Sequence, residues 1–345
     1  MLYSIITVAV CLVSSVNSVS LQQVNTNLPD GVDRFNGPVI GVLAEPYCIS
    51  LDPKKAGFNH GCEQSPQSGV DVWAYKYLEA AGARVIGIPY NIPEAEVHQL
   101  FDQMHGVYFP GGDASLEYDS QYYKTANILF KRAKEANDAG IHFPILGICM
   151  GFQLLTVLQS QDYSVLEHGV YDSHGVLFQL ERTEETQDSR LLGQNAPKLV
   201  TDHFYNTPST ANFHYDGITM ENYAKNEHLN EFYRVVSTNH DLKGRPFVST
   251  VEAYDYPFYG LQWHPEGVQF SWSPHSMFVD RTMESIMSVQ YLANFFIGEA
   301  RKCSHPNVDN SLTLDSLYLY NQQPVIKGNS SAVYLFVRDN SALDA

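Results

Sequence analysis

The sequence predicts an α/β protein with a doubly wound, mostly parallel central sheet and helices on both faces. Short continuous apolar runs, such as Pro38–Ala44, lack the alternation of a half-exposed strand. They are typical of parallel strands that are covered on both faces. The runs alternate at short intervals with segments of helical periodicity, which is the pattern of repeated strand–helix units.

The amino-terminal half contains most of these units. Pro38–Ala44 is predicted as the first strand, and Val70–Ala81 as the first helix, ending at Gly82 because glycine commonly terminates helices. The elements that follow are strand Arg84–Pro89, helix Ala95–Met104, strand Val107–Phe109, helix Gln121–Asn137, strand Pro144–Ile148 and a helix from Met150 to about Ser160.

The second half is richer in strand patterns and ends in one long helix. The strands are predicted at Phe232–Ser237, Phe247–Ala253 and Tyr259–Trp263, with a closing strand at Ala332–Val337. The helix, about Thr282–Lys302, is predicted to pack on the sheet. Its apolar face comprises Met283, Ile286, Met287, Leu292, Phe295 and Phe296. Since no linker is visible, residues 21–345 are interpreted as a single domain, with a core at about 38–302 and a carboxyl-terminal extension at 303–345.

The amino terminus has the features of a secretory signal peptide. Residues 1–20 carry no charged side chain, and an apolar run from about Leu2 to Val13 is followed by small residues. The run is shorter than the ~20 apolar residues that a spanning helix needs. We therefore predict no membrane association and a secreted, lysosomal or vacuolar protein. The sequon Asn329-Ser330-Ser331 is then a candidate glycosylation site.

Charge and cysteine content exclude some partners. The formal net charge is −17, from 21 basic and 38 acidic side chains, and no basic stripe suggests a nucleic-acid partner. An anionic substrate would therefore need a local basic or amide-rich pocket. No cysteine and histidine spacing suggests a metal site, and no cofactor is predicted. A homodimer remains open.

Five cysteines are present: Cys11, Cys48, Cys62, Cys149 and Cys303. Cys11 lies in the predicted signal peptide. If Cys149 stays a thiol, the other three allow at most one internal disulfide, and Cys48–Cys62 is the short-loop candidate.

The segment Gly147-Ile148-Cys149-Met150-Gly151 joins a predicted strand to a predicted helix. It matches the nucleophile-elbow pattern, with cysteine in place of serine. The tight turn holds the nucleophile in a strained conformation, and the glycines let neighbouring backbone approach. The N–H groups of a helix that begins at Met150 would stabilise a thiolate. A buried core cysteine is the alternative, but the flanking strand and helix favour catalysis.

A general base and its orienting carboxylate are predicted at His264 and Glu266, in the run Gly260–Glu266. Extended residues two apart face the same way, so Glu266 can bind one ring nitrogen while the other faces the thiol. An oxyanion hole is predicted from the backbone amides of Gly112, in the turn after Tyr108–Phe109, and Met150.

These motifs together resemble the class I glutamine-amidotransferase superfamily, whose triad runs Cys…His-x-Glu. Within it the chain is similar to the γ-glutamyl hydrolases, over roughly Pro38–Lys302. The similar stretches are Tyr77–Val85, Phe109–Gly112, Thr210–His214 and Tyr259–Glu266. The resemblance implies a nucleophile at Cys149, a base at His264, a carboxylate at Glu266, and substrate contacts from His214 and Gly111.

The implied reaction is hydrolysis of γ-glutamyl amides through a thioester on Cys149. The implied small-molecule substrate is a folate whose poly-γ-glutamate tail is trimmed. Two departures are expected to alter the rim of the pocket: family members often carry lysine where this chain has Gly267, and Gln153 stands where an acid is expected.

Two other functions remain open. A glutamine amidotransferase or glutaminase subunit forms the same thioester, but the signal peptide and the lack of a fused second domain argue against it. A catalytically inactive secreted binding module would have no reason to keep an intact Cys149, His264 and Glu266.

Overall fold

The computed structural model describes residues 37–47, 65–272, 276, 278–306, 317–327 and 331–337. The predicted signal peptide, the predicted Cys48–Cys62 pair and the sequon at Asn329 lie outside these ranges. Cys149 and Cys303, which lie within them, are free thiols.

Strands and helices alternate through the first half of the described chain. The strands are β1 Val39–Pro46, β2 Gln67–Asp71, β3 Arg84–Pro89, β4 Gly106–Phe109, β5 Ile145–Ile148, β6 Ser173–Phe178, β7 Glu181–Arg182, β8 Thr210–His214, β9 Tyr233–His240, β10 Pro246–Ala253, β11 Phe258–Leu261, β12 Val325–Lys327 and β13 Ser331–Val337. The helices are α1 Val72–Ala80, α2 Glu94–Phe101, α3 Gln121–Asp138, α4 Met150–Ser160, α5 Lys198–Asn206, α6 Met220–Lys225, α7 Glu227–Asn230, α8 Glu266–Phe270 and α9 Met283–Ala300.

The main sheet has a parallel centre with antiparallel flanks. Its order is β12-β13-β2-β1-β4-β5-β11-β10-β9-β7, and β3 also pairs with β1. Strands β3, β1, β4, β5 and β11 run parallel to their neighbours within this group. The predicted parallel centre is thus confirmed. Both flanks, β12-β13-β2 and β10-β9-β7, are antiparallel. Strands β6 and β8 form a separate antiparallel pair.

Helices cover both faces of the sheet, as the sequence predicts for a doubly wound fold. One apolar cluster joins the sheet to α2, α3 and α4. The other joins the opposite face to α1, α5 and α9. In α9, Leu292 and Phe296 are buried as expected, whereas Met283 and Met287 are 70% and 51% exposed. The sequence therefore predicts too broad an apolar face for this helix.

The remaining differences from the sequence-based elements concern the edges. Strand β2 was not expected, and it pairs with the carboxyl end of β1 through Glu45 and Gly69. Strand β13 does not close the sheet, because β12 pairs on its outer side. None of the helices in the described ranges combines the length and apolar character needed to cross a membrane.

Candidate active site

Cys149 occupies the turn between β5 and α4, at the carboxyl end of the parallel strands. Its backbone has φ 51° and ψ −107°, a positive-φ conformation that is costly for a residue with a side chain. Its N–H donates to the carbonyl of Leu261 at 2.7 Å, which ties the turn to the neighbouring strand. A Cβ at Gly151 would lie 2.0 Å from the carbonyl oxygen of Phe109, so only glycine fits where α4 meets β4.

His264 follows β11 and forms a buried pair with Glu266. The His264 Nδ1 donates to Glu266 Oε1 at 2.8 Å, and both side chains are buried. The expected contact is present, but the extended backbone predicted for it is wrong. Pro265 is helical, with φ −66° and ψ −33°, and Glu266 is the first residue of α8. The two side chains therefore meet across a turn into a helix.

The charge on His264 is set by its two partners. Burial, the largest influence, disfavours the imidazolium. Hydrogen bonding and opposite charge from Cys149 and Glu266 outweigh burial, so the pKa of His264 lies well above its usual value. The site is therefore arranged to hold an imidazolium beside the Cys149 sulfur.

The turn after β4 lies directly against this pair. A Cβ on Gly111 would sit 2.5 Å from His264 Cε1 and 3.3 Å from Cys149 Cβ. Gly112 lies against Glu45, whose carboxylate oxygen would be 1.8 Å from a Cβ at that position. The other oxygen of Glu45 accepts from the N–H of Asp113 at 2.9 Å. The structure thus places Gly111 beside the cysteine and histidine, and Glu45 braces the turn.

A buried network of side-chain amides also reaches Cys149. Gln262 Nε2 lies 3.7 Å from Cys149 Sγ, and Gln262 Oε1 accepts from Gln153 Nε2 at 3.2 Å. Gln153 also donates to the carbonyl of Asp216 at 3.0 Å. Gln153 is 6% exposed, as buried as Cys149, and its expected effect on the rim of the pocket stays a prediction. Gln262 was missed, although it stands only two residues before His264.

His214 ends β8 and shares the Asp216 carbonyl with this network. Its Nδ1 donates to that carbonyl at 2.8 Å, and its Nε2 lies 3.2 Å from Asn212 Oδ1. The ring is buried, with only 4% of the residue exposed. Burial lowers the pKa of His214 to about 4; the hydrogen bond to Asp216 opposes this shift, and the nearby charge of His264 adds to it. Contact between His214 and substrate stays a prediction.

The depressed pKa of His214 predicts a loss of stability in acid. Its pKa is about 4 in the fold against 6.5 for a free side chain, so the unfolded chain binds more protons between these values. The contribution of neutral His214 to the stability of the fold is therefore complete above pH 6.5 and declines as the pH falls toward 4. Urea unfolding at pH 7 and at pH 4.5 would measure the free energy of unfolding. We expect it to fall between the two pH values by about 2 kcal/mol less in His214→Gln than in the wild-type protein.

The same substitution at His228, which is exposed on α7, is the control and should leave the pH dependence unchanged. Equal acid losses in the wild-type protein and in His214→Gln would contradict the depressed pKa.

The assembled side chains are those required for acyl transfer. A cysteine sulfur beside an imidazole that is paired with a carboxylate is an arrangement that can carry out acyl transfer, with the sulfur as nucleophile and the imidazole as acid and base. Across the ranges that the structure describes, no group of three or more His, Cys, Asp or Glu side chains is arranged to hold a metal ion.

Several known proteins are similar in sequence to this chain over most of its length. The family described as "Glutamine amidotransferase class-I" matches residues 67–280. Gamma-glutamyl hydrolase B of Dictyostelium discoideum is 33% identical over 289 residues, covering 84% of this chain and 79% of that protein. Gamma-glutamyl hydrolase of Mus musculus is 36% identical over 264 residues, covering 76% and 81%. The Homo sapiens protein of that name is 35% identical over 300 residues, covering 87% and 89%.

Proposed function

Because the chain belongs to the γ-glutamyl hydrolase family, we propose that Cys149, His264 and Glu266 are its catalytic residues and that it shortens the poly-γ-glutamate tails of folates. The protein is an enzyme that hydrolyses γ-glutamyl amide bonds. The observation that supports the residue assignment best is the buried His264–Glu266 hydrogen bond beside a cysteine held at positive φ in a tight turn.

The proposed first half-reaction is acylation of the cysteine. The Cys149 thiolate attacks the γ-carbonyl carbon, and the backbone amides of Gly112 and Met150 stabilise the oxyanion. When the tetrahedral intermediate collapses, the C–N bond breaks and the His264 imidazolium gives its proton to the leaving amine. The products are a γ-glutamyl thioester on Cys149, a neutral His264 and the released amine.

Deacylation restores the starting state. Neutral His264 removes a proton from water as the water oxygen attacks the thioester carbonyl. The C–S bond then breaks, releasing the γ-carboxylic acid, which loses its proton to solvent, and leaving the Cys149 thiolate beside the imidazolium. Glu266 accepts the hydrogen bond from Nδ1 of His264 in both half-reactions and so orients the imidazole.

The proposed substrate is tested by product analysis. The purified protein should convert pteroyl penta-γ-glutamate into shorter pteroyl glutamates, identified by mass. A pteroyl compound with the same number of glutamates in α-linkage is the matched substrate, and it should resist cleavage. The Cys149→Ala variant should produce none of these products.

L-glutamine offered in the same assay separates the proposal from the amidotransferase or glutaminase alternative. Ammonia release from glutamine that is faster than tail shortening would favour that alternative. Equal cleavage of α- and γ-linked tails would contradict the γ-glutamyl assignment.

We also propose that the enzyme acts in the secretory pathway, as a secreted or lysosomal protein. The support is the uncharged apolar amino terminus of the sequence, followed by small residues. Microsomal processing during translation should remove a segment of about twenty residues, and an unchanged chain length would contradict the proposal.

A further inference from the structure

The imidazole of His264 is enclosed by two aromatic rings that the catalytic assignment does not use. The indole of Trp73, near the start of α1, lies parallel to the imidazole at 4°, with ring centroids 5.7 Å apart. The ring of Phe213 from β8 meets the imidazole edge-on, at 79° and 5.5 Å. Trp73 is partly buried, whereas His264 is buried.

Gly267 makes room for this indole. Helix α8, which carries Glu266 and Gly267, packs against α1. A Cβ added at Gly267 would lie 2.9 Å from Trp73 Cζ3 and 3.2 Å from Cε3, closer than ordinary carbon contacts. Any larger residue at 267 would therefore displace the indole from its present position beside the imidazole. Lysine was expected at position 267, and the space that its side chain would need is taken by the indole of Trp73.

The two hydrogen-bonding partners of His264 do not fix its ring completely. Glu266 holds Nδ1 and Cys149 lies by the other side, but neither restrains tilting of the ring plane. A parallel aromatic surface restrains that tilt. It also attracts a cationic ring more strongly than a neutral one, because the indole face is negative.

We propose that Trp73 is a positioning residue for the catalytic base: its indole fixes the plane of the His264 imidazole and favours the imidazolium, and Gly267 provides the space for it. This inference rests on the assignment of His264 as the base. The imidazolium is the proton donor to the leaving amine, so a misplaced or neutral ring slows the chemical step more than substrate binding.

The test is a double-substitution cycle at positions 73 and 267. We expect Trp73→Ala to lower kcat about tenfold with KM changed less than about twofold, and Trp73→Phe to recover most of the loss. Gly267→Ala should lower kcat severalfold by displacing the indole. In the Trp73→Ala background, Gly267→Ala should have almost no further effect, because no indole remains to be displaced.

Gly298→Ala is the matched glycine control, since it lies in α9 and a Cβ there meets nothing within 4 Å. It should leave kcat unchanged. Losses at 73 and 267 that multiply in the double variant would overturn the inference. So would a Trp73→Ala effect confined to KM, which would make Trp73 a substrate-binding residue.

A readout without substrate separates this inference from the proposed function. The rate of Cys149 alkylation by iodoacetamide at pH 6 reports the thiolate held by His264. It should fall in Trp73→Ala, fall in Gly267→Ala and fall no further in the double variant. This pattern would stand even if pteroyl poly-γ-glutamates proved not to be cleaved. Equal alkylation rates in wild type and Trp73→Ala would overturn the inference whatever the substrate.

Discussion

Replacing Cys149 with alanine should lower kcat for γ-glutamyl amide hydrolysis by about ten-thousandfold or more, while the fold persists. The sulfur is the atom that forms the acyl intermediate, so its loss removes the reaction path rather than one stabilising contact. Alanine lacks only the sulfur and adds no polar group to the buried elbow, so the fold is kept although a small cavity is left. Product formation by mass, circular dichroism and thermal unfolding would measure both parts of the expectation.

Cys303→Ser is the matched cysteine control. Cys303 follows α9, is free and partly buried, and burial raises the pKa of its thiol. Its replacement should leave kcat unchanged. A folded Cys149→Ala variant that keeps more than about one per cent of the wild-type rate would rule out Cys149 as the nucleophile.

Replacing His264 with glutamine should lower kcat by about a thousandfold. The structure places the Cys149 and Glu266 side chains against an imidazole whose pKa they raise well above its usual value, despite burial. Without the imidazolium, the leaving amine has no proton donor and the thiolate loses its counter-charge. Alkylation of Cys149 by iodoacetamide at pH 6 should therefore slow in the same variant.

Glu266→Gln should be milder, about ten- to a hundredfold, because Glu266 orients the base and does not react. His240→Gln is the control for the histidine change, since His240 is exposed at the end of β9 and pairs with Glu181. Unchanged alkylation of Cys149 in His264→Gln would show that the two side chains do not act as a pair.

The local parts of the site could be predicted from the sequence. The turn at Cys149 is specified by five contiguous residues, with an apolar strand before them and a helix after them. The pairing of His264 with Glu266 could be predicted, but the backbone conformation between them could not. Proline fixes φ and leaves ψ free, so both extended and helical conformations are open to Pro265.

The parts that come from distant segments could not be predicted. Glu45 reaches Gly112 from the end of β1, and Trp73 reaches His264 from α1. Neither pairing leaves a pattern in sequence, because each depends on which strands and helices lie side by side in the folded chain. The antiparallel pairing of the flanking strands could not be predicted for the same reason. Periodicity indicates that a segment is a strand, but it does not give the direction of the neighbouring strand.

The positive φ of Cys149 makes the requirements of catalysis and of folding stability conflict at one residue. A non-glycine residue in this conformation costs about 1–3 kcal/mol, which glycine would not incur. The Cys149→Gly protein would then be inactive yet comparable to or more resistant than the wild type to heat and urea. Selecting variants of this enzyme for thermal resistance alone would therefore enrich inactive variants that carry a substitution at position 149. A search for a more thermostable form of the enzyme has to measure turnover and melting temperature together.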